Sequence, residues 1–133
     1  MPFKLVSRPD PAPMEFLVTN ATALSFGQCV TFSAGRLVAA GTTTPVAGVT
    51  THAVTAGTDR RCKVILVDPE QTWEADYTGT PVGGFVVGVN SAVLDAAGNN
   101  LNSTNVTSGP CAIVAIDAPP RKALVKFRLR HLT

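Results

Sequence analysis

The sequence predicts a small all-β protein, an antiparallel β-barrel or sandwich. Short apolar segments rich in β-branched residues recur along the chain, and Gly, Pro and Asn turns separate them. No segment carries a 3.6-residue apolar repeat over more than about two turns, so long amphipathic helices are not expected. With 133 residues, 45% of them apolar and 15% charged, the chain can form one domain with its own core. Composition and spacing do not distinguish a barrel from a sandwich.

The N-terminal residues 1–13 differ from the rest of the chain. Their prolines are Pro2, Pro9, Pro11 and Pro13. Each proline lacks a backbone donor and holds the preceding residue in extended geometry, which excludes a helix. Phe3, Leu5 and Val6 add an apolar patch that a solvated tail would not need. We therefore predict an extended Pro-rich N-terminal arm over residues 1–13 that docks on another surface, and a single β domain over residues 14–133. Removing the arm should leave the domain folded.

The stretch Arg61–Pro81 forms the centre of the predicted fold. Its first half, Val64–Val67, is an unbroken apolar run, typical of a strand covered on both faces. Asp68-Pro69 ends the run, and strict alternation follows, with Trp73 and Tyr77 on the inward face. These two strands are expected to meet at a hairpin-like corner. All the predicted strands are Glu15–Thr19, Gln28–Ser33, Leu37–Ala40, Val46–His52, Lys63–Val67, Thr72–Tyr77, Phe85–Val89, Ala92–Asp95, Cys111–Asp117 and Ala123–Arg130.

The last predicted strand separates apolar from basic side chains. Its core face carries Val125, Phe127 and Leu129. Its other face carries Lys126, Arg128 and Arg130. These cations either protect a sheet edge or pair with an acidic surface on a partner or on a second copy of the chain. The acidic side chains Asp68, Glu70, Glu74 and Asp76 form an oppositely charged patch within nine residues.

The sequence contains no set of residues that predicts a catalytic or metal-binding site. Cys29, Cys62 and Cys111 are widely spaced in apolar runs, which favours buried free thiols over a metal site or a disulfide framework. His52 and His131 have no Cys or His at ligand spacing, so no metal and no other cofactor is predicted. The carboxylates are typical of a solvated strand face, and no set of catalytic residues can be assembled, so we do not expect an enzyme.

Nucleic-acid and membrane partners are also not expected. The basic strand lacks neighbouring aromatic side chains that could stack on bases, because Phe127 faces the core. No apolar run approaches the length of a membrane helix, and the start of the chain lacks the features of a secretory signal. A soluble protein made in a cytoplasm is the expectation.

From Ala21 onward, the order of features resembles the capsid decoration, or cement, proteins of tailed double-stranded DNA bacteriophages. The resemblance covers about 110 residues. The segments that carry it are Ala23–Gly27, Val46–Val49, KVILVDPEQTWEADYTGTP, GGFVVGVNSAVLDAAGN and CAIVAIDAPPRKALVKFRLR. The Gly-Thr-Pro that follows the acidic and aromatic strand is the most characteristic of these motifs.

The resemblance implies a non-enzymatic virion protein on the outer capsid surface, made in the host bacterial cytoplasm. It would bind the major capsid protein and bridge neighbouring subunits, often as a homo-oligomer, a trimer or dimer, at a local symmetry axis. The predicted contacts with the capsid or a neighbouring copy are Phe3, Lys4, Leu5, Val6, Arg8, Lys126, Arg128 and Arg130. The alternative is a receptor- or carbohydrate-binding module of a phage fibre or tail, which would need a groove with exposed aromatic side chains.

Overall fold

The computed structural model describes residues 3–6, 12–117, 121–128 and 130, and its regular structure there consists of strands alone. The all-β prediction is confirmed. In chain order the strands are β1 (Lys4–Leu5), β2 (Met14–Leu17), β3 (Cys29–Ser33), β4 (Arg36–Ala39), β5 (Gly48–Thr50), β6 (Arg61–Leu66), β7 (Trp73–Thr78), β8 (Val93–Leu94), β9 (Leu101–Asn102), β10 (Cys111–Asp117) and β11 (Lys122–Phe127).

The first half of the chain forms sheet I, with strand order β2-β6-β5-β3-β4. All its strand pairs are antiparallel. A parallel bridge between Val18 and Leu37 joins the end of β2 to β4, so the two outer strands of the sheet meet. Sheet I therefore curls around an interior of its own.

The second half forms sheet II, with strand order β10-β11-β7-β9-β8, and β1 pairs with β7 beside that path. The short β9 runs parallel to β7. An antiparallel bridge between Ala92 and Cys111 connects the residue before β8 to β10, so sheet II also curls back on itself. The structure therefore has features of both predicted architectures. Two sheets pack on each other, as in a sandwich, and each sheet curls, as in a barrel.

Two clusters of buried side chains explain why apolar residues are consecutive in sheet I. Val64 lies in the cluster inside the sheet I curl, whereas Val67 lies in the larger cluster between the sheets. Ile65 packs against the larger cluster and Leu66 against the smaller one. The prediction that this run is covered on both faces is therefore confirmed.

The corner between β6 and β7 differs from its prediction. These strands belong to different sheets, so the chain crosses from sheet I to sheet II there and does not form a hairpin. Gln71, only 4% exposed, fixes the crossing. Its Oε1 accepts a hydrogen bond from Asp68 N at 2.9 Å, and its Nε2 donates to Leu66 O at 3.2 Å. Beyond the corner Trp73 and Tyr77 face inward, at 1% and 6% exposure, as predicted.

The N-terminal segment is part of the fold where the structure describes it, and no extended arm is seen there. Lys4 and Leu5 pair with Glu74 and Trp73 of β7. Phe3 is 2% exposed and lies in the larger core cluster, and its backbone N donates to Gly27 O at 2.9 Å. This burial corrects the expectation that Phe3 contacts a partner and that the domain is independent of these residues.

Two further predictions need correction. The run Phe85–Val89 forms turns, because Gly88 adopts a φ of +97° and Val89 N bonds back to Val86 O. Strand β11 lies between β10 and β7, so its basic residues do not protect a sheet edge.

The three cysteines are buried free thiols, as predicted. Burial raises the pKa of Cys29, Cys62 and Cys111, and Cys111 and Asp95 raise that of Cys29 further. The thiols are therefore core residues that stay protonated at neutral pH.

Candidate interaction surface

The solvent face of sheet II brings together predicted contact residues from the two ends of the chain. Lys4 and Val6 alternate with the inward Phe3 and Leu5 on the strand at its edge. Val6 N donates to Thr72 O at 3.0 Å. The β7–β11 register, extended by one residue beyond Trp73 and Val125, places Thr72 opposite Lys126. We call this surface, with Lys4, Val6, Glu74, Asp76, Lys122, Leu124 and Lys126, the outer face of sheet II.

Positive and negative side chains alternate across this face. Lys4 is opposite Glu74, and Lys122 is opposite Asp76. The Lys122 Nζ and Asp76 Oδ1 atoms are 2.7 Å apart. The acidic and basic residues therefore do not form two separate patches, as the sequence suggested, because β7 and β11 are neighbours.

Hydrogen bonding stabilises the charged forms of this pair. Burial alone would raise the pKa of Asp76, but the hydrogen bonds it accepts, including that from Lys122, lower it below the ordinary value of 3.8. The bond to Asp76 raises the pKa of Lys122. Since both side chains are about one quarter exposed, solvent screens the pair and its contribution to stability is small.

We expect Asp76→Asn to lower the free energy of unfolding by less than about 1 kcal/mol at pH 7. Because the folded-state pKa of Asp76 is depressed, its contribution is present above the ordinary pKa and is lost as the pH falls through the folded value. The difference from wild type should therefore shrink below about pH 4. Urea unfolding at several pH values measures this difference in the free energy of unfolding. Glu70→Gln is the control, because it removes the charge of an exposed carboxylate. A difference that grows toward low pH would contradict this assignment.

The remaining predicted basic contacts have different environments. Arg128 is exposed, and its backbone N donates to Pro110 O at 2.7 Å. Arg130 is half-buried, and its Nη1 donates to Phe127 O at 2.6 Å, so this guanidinium has a partner within the chain. Arg8 lies outside the described residues. Of the predicted basic contacts after β10 that the structure describes, Arg128 is therefore exposed, and Lys126 is half-buried on the outer face of sheet II.

An apolar groove of about 390 Å³ adjoins the outer face and was not predicted. The edge strand β1 contributes Leu5 to one wall, and β5 and β6 contribute Val49 and Ile65 to the other. Phe26, which is 58% exposed, lies at the groove with its ring open to solvent. Local sequence patterns could not reveal the groove, because it forms where the two sheets meet.

The groove offers few free polar groups. Thr50 Oγ1 accepts from Gln28 N at 3.0 Å and donates to Ser25 O, and Thr51 Oγ1 donates to Lys63 O at 2.8 Å. Trp73 contributes to the wall, but its Nε1 is buried and has no hydrogen-bond partner among the described residues. The groove therefore suits an apolar group better than a polyhydroxylated one.

No protein-family model and no curated protein matches the chain. Within the described residues, no group of three or more His, Cys, Asp or Glu side chains is placed to hold a metal ion. No helix of sufficient length and apolar character to cross a membrane occurs in that part of the chain.

Proposed function

We propose that this chain is a structural virion protein. It binds the outer surface of a phage capsid and stabilises the shell by bridging neighbouring major capsid subunits. In this proposal it is made in the host bacterial cytoplasm, acts without a cofactor or catalytic step, and is present on the shell as a dimer or trimer.

The observation that carries the proposal is the outer face of sheet II. Lys4, Val6 and Lys126, distant in sequence, share this face, and the groove opens beside the same edge strand. A surface that combines an apolar side chain with several lysines suits an acidic, partly apolar partner surface. The resemblance of the sequence to decoration proteins supplies the class of partner.

The architecture also suits a protein held by many weak contacts. A copy that touches two capsid subunits binds the second with a high effective concentration, so neither contact has to be strong. Because β1 is hydrogen-bonded into sheet II, Lys4 and Val6 are ordered before binding, which reduces the entropy lost on association.

Binding to expanded capsids of the encoding phage, prepared without this protein, tests the proposal. The wild-type protein should co-sediment with the shells and raise their disruption temperature. Lys126→Glu should weaken binding about tenfold or more, because it reverses a charge on the contact surface.

Lys63→Glu is the matched control, since Lys63 is an exposed cation on β6 of sheet I. It should bind like the wild type. The proposal fails if the wild-type protein does not bind these shells. If Lys126→Glu and Lys63→Glu bind equally well, the outer face of sheet II is not the surface that contacts the capsid.

The groove favours one other candidate, the receptor- or carbohydrate-binding module. The exposed Phe26 ring is the kind of platform on which a sugar stacks. The threonine hydroxyls of the groove already have partners within the chain, which leaves little for hydroxyl recognition. Binding on a glycan array that Phe26→Ala abolishes would favour this candidate over the capsid proposal.

A further inference from the structure

The edge of β1 that is turned away from β7 carries unpaired backbone groups. Val6 N donates to Thr72 O, so these two residues form a hydrogen-bonded pair of the antiparallel ladder. Hydrogen-bonded and non-hydrogen-bonded pairs alternate in such a ladder. Leu5, opposite Trp73, therefore has its N–H and C=O directed away from β7, and neither group has a hydrogen-bond partner among the described residues. We call this side of the strand the free edge of β1.

The groove begins where the free edge of β1 stops being covered. Phe3 N, two residues before Leu5 and on the same side of the strand, donates to Gly27 O at 2.9 Å. Phe26, the neighbour of Gly27, lines the groove of about 390 Å³ together with Leu5. The protein thus covers the edge itself at Phe3 and leaves it open at Leu5. An unpaired strand edge is a template on which a further strand can form.

The residues around the free edge of β1 determine what such a strand has to carry. Directly opposite residues of neighbouring strands have their side chains on the same face of the sheet. The residue opposite Leu5 would point into the groove, whose walls include Val49 and Ile65, so an apolar side chain fits there. The residue opposite Lys4 would lie on the outer face of sheet II. Because Lys4 is the one charged residue among the described residues that line the groove, an acidic residue is complementary at that position.

We infer that β1 accepts an extended polypeptide segment as an additional strand, with an apolar residue opposite Leu5 and an acidic residue opposite Lys4. The backbone of such a segment supplies both an acceptor for Leu5 N–H and a donor for Leu5 C=O, a pair of groups that an apolar small molecule lacks. In the wall of the same groove, Trp73 Nε1 also has no hydrogen-bond partner among the described residues. The free edge of β1 has this capacity whether or not the partner is a capsid subunit, so the inference does not depend on the proposed function.

NMR of the full-length protein tests the inference through hydrogen exchange and peptide titration. In the free protein, the amide of Leu5 should exchange at least about tenfold faster than those of Phe3 and Val6, which are hydrogen-bonded. The probes are the peptides acetyl-Thr-Glu-Leu-Val-Thr-amide and acetyl-Thr-Val-Leu-Glu-Thr-amide, which match a parallel and an antiparallel strand. One of them should bind with a dissociation constant below about 1 mM. At saturation it should slow the exchange of Leu5 about tenfold.

Two controls separate strand addition from non-specific apolar binding. N-methylation of the leucine and valine of the binding peptide removes the donor for Leu5 C=O in either strand direction, and it should weaken binding about tenfold or more. Phe26→Ala, at the groove, should raise the dissociation constant about fivefold or more. Val87→Ala is the matched control, because Val87 is 59% exposed and is not among the residues that line the groove. It should bind like the wild type.

The inference is overturned if Leu5 and Val6 exchange equally slowly in the free protein, or if neither peptide binds at about 1 mM. Unchanged binding after N-methylation, or equal affinities of Phe26→Ala and Val87→Ala, would also overturn it. Capsid binding by a protein that binds neither peptide would leave the proposed function intact. Peptide binding by a protein that does not bind the capsid would remove only the proposed function.

Discussion

Phe3→Ala is expected to lower the free energy of unfolding by about 3–5 kcal/mol, because it removes a buried ring from the main core. Phe3 is 2% exposed, and its ring centroid is 5.5 Å from that of Phe127, which in turn is 6.0 Å from Trp73. Urea unfolding followed by circular dichroism and by the fluorescence of Trp73, the single tryptophan, measures the loss.

Phe26→Ala is the control for this variant, since the same chemical change is made at a side chain that is 58% exposed. It should change stability by less than about 0.5 kcal/mol. Equal unfolding midpoints for the two variants would contradict the burial of Phe3. If Phe3 is buried as described, deleting residues 1–13 removes part of the core as well as surface residues. Point substitutions such as Phe3→Ala are then the better way to study the N-terminus.

Gly109→Ala is expected to destabilise the protein by about 3 kcal/mol or more, or to prevent folding. A Cβ at this position would lie 2.0 Å from Ala92 O and 2.3 Å from Ala92 C, and these backbone atoms cannot rotate away. Gly109 N also donates to Ser91 O at 2.9 Å, next to the Ala92–Cys111 bridge at which sheet II curls back. The substitution therefore forces apart the two segments that close the sheet.

Gly83→Ala is the matched control, because a Cβ there meets no atom within 4 Å and the residue has no positive φ. It should leave stability unchanged or raise it slightly through a less flexible unfolded chain. Thermal unfolding of both variants gives the comparison. If Gly109→Ala and Gly83→Ala unfold at the same temperature, the backbone of Gly109 does not lie as close to that of Ala92 as described here.

The fold class and the facing of the best strands could be predicted because they depend on local periodicity. In β11 the predicted core residues Val125 and Phe127 are buried and Lys126 between them is half-buried, as the alternation indicated, whereas Leu129 lies outside the described residues. The unbroken run at β6 likewise indicated a strand between two apolar environments.

The N-terminus and the loop 82–89 could not be predicted in the same way. Prolines near Phe3 suggested an arm, but its pairing with β7 depends on residues about 70 positions away. The run Phe85–Val89 has the composition of a strand, yet the glycines around it and the buried anchor Phe85 produce a loop with exposed valines. Tertiary contacts override local propensity at both places.

The candidate surfaces were only partly foreseeable. Lys4 and Val6 were predicted as contacts because they lie in the N-terminal arm, and Lys126 because it lies on the basic face of the last strand. That the three share a face follows from the strand order β1-β7-β11. The groove and the free edge of β1 arise where separate segments meet, so no single stretch of sequence encodes either.

The placement of β1 determines the order in which a nascent chain can fold. The strands of sheet I are contiguous in sequence from Met14 to Leu66, so they can pair while the ribosome is still translating the second half. Sheet II needs residues from both Lys4 and Phe127, so it is completed only after Phe127 has been synthesised. Until then the Phe3 ring lacks its contact with Phe127, so part of the core that buries it is missing and the ring is more accessible to chaperones and proteases.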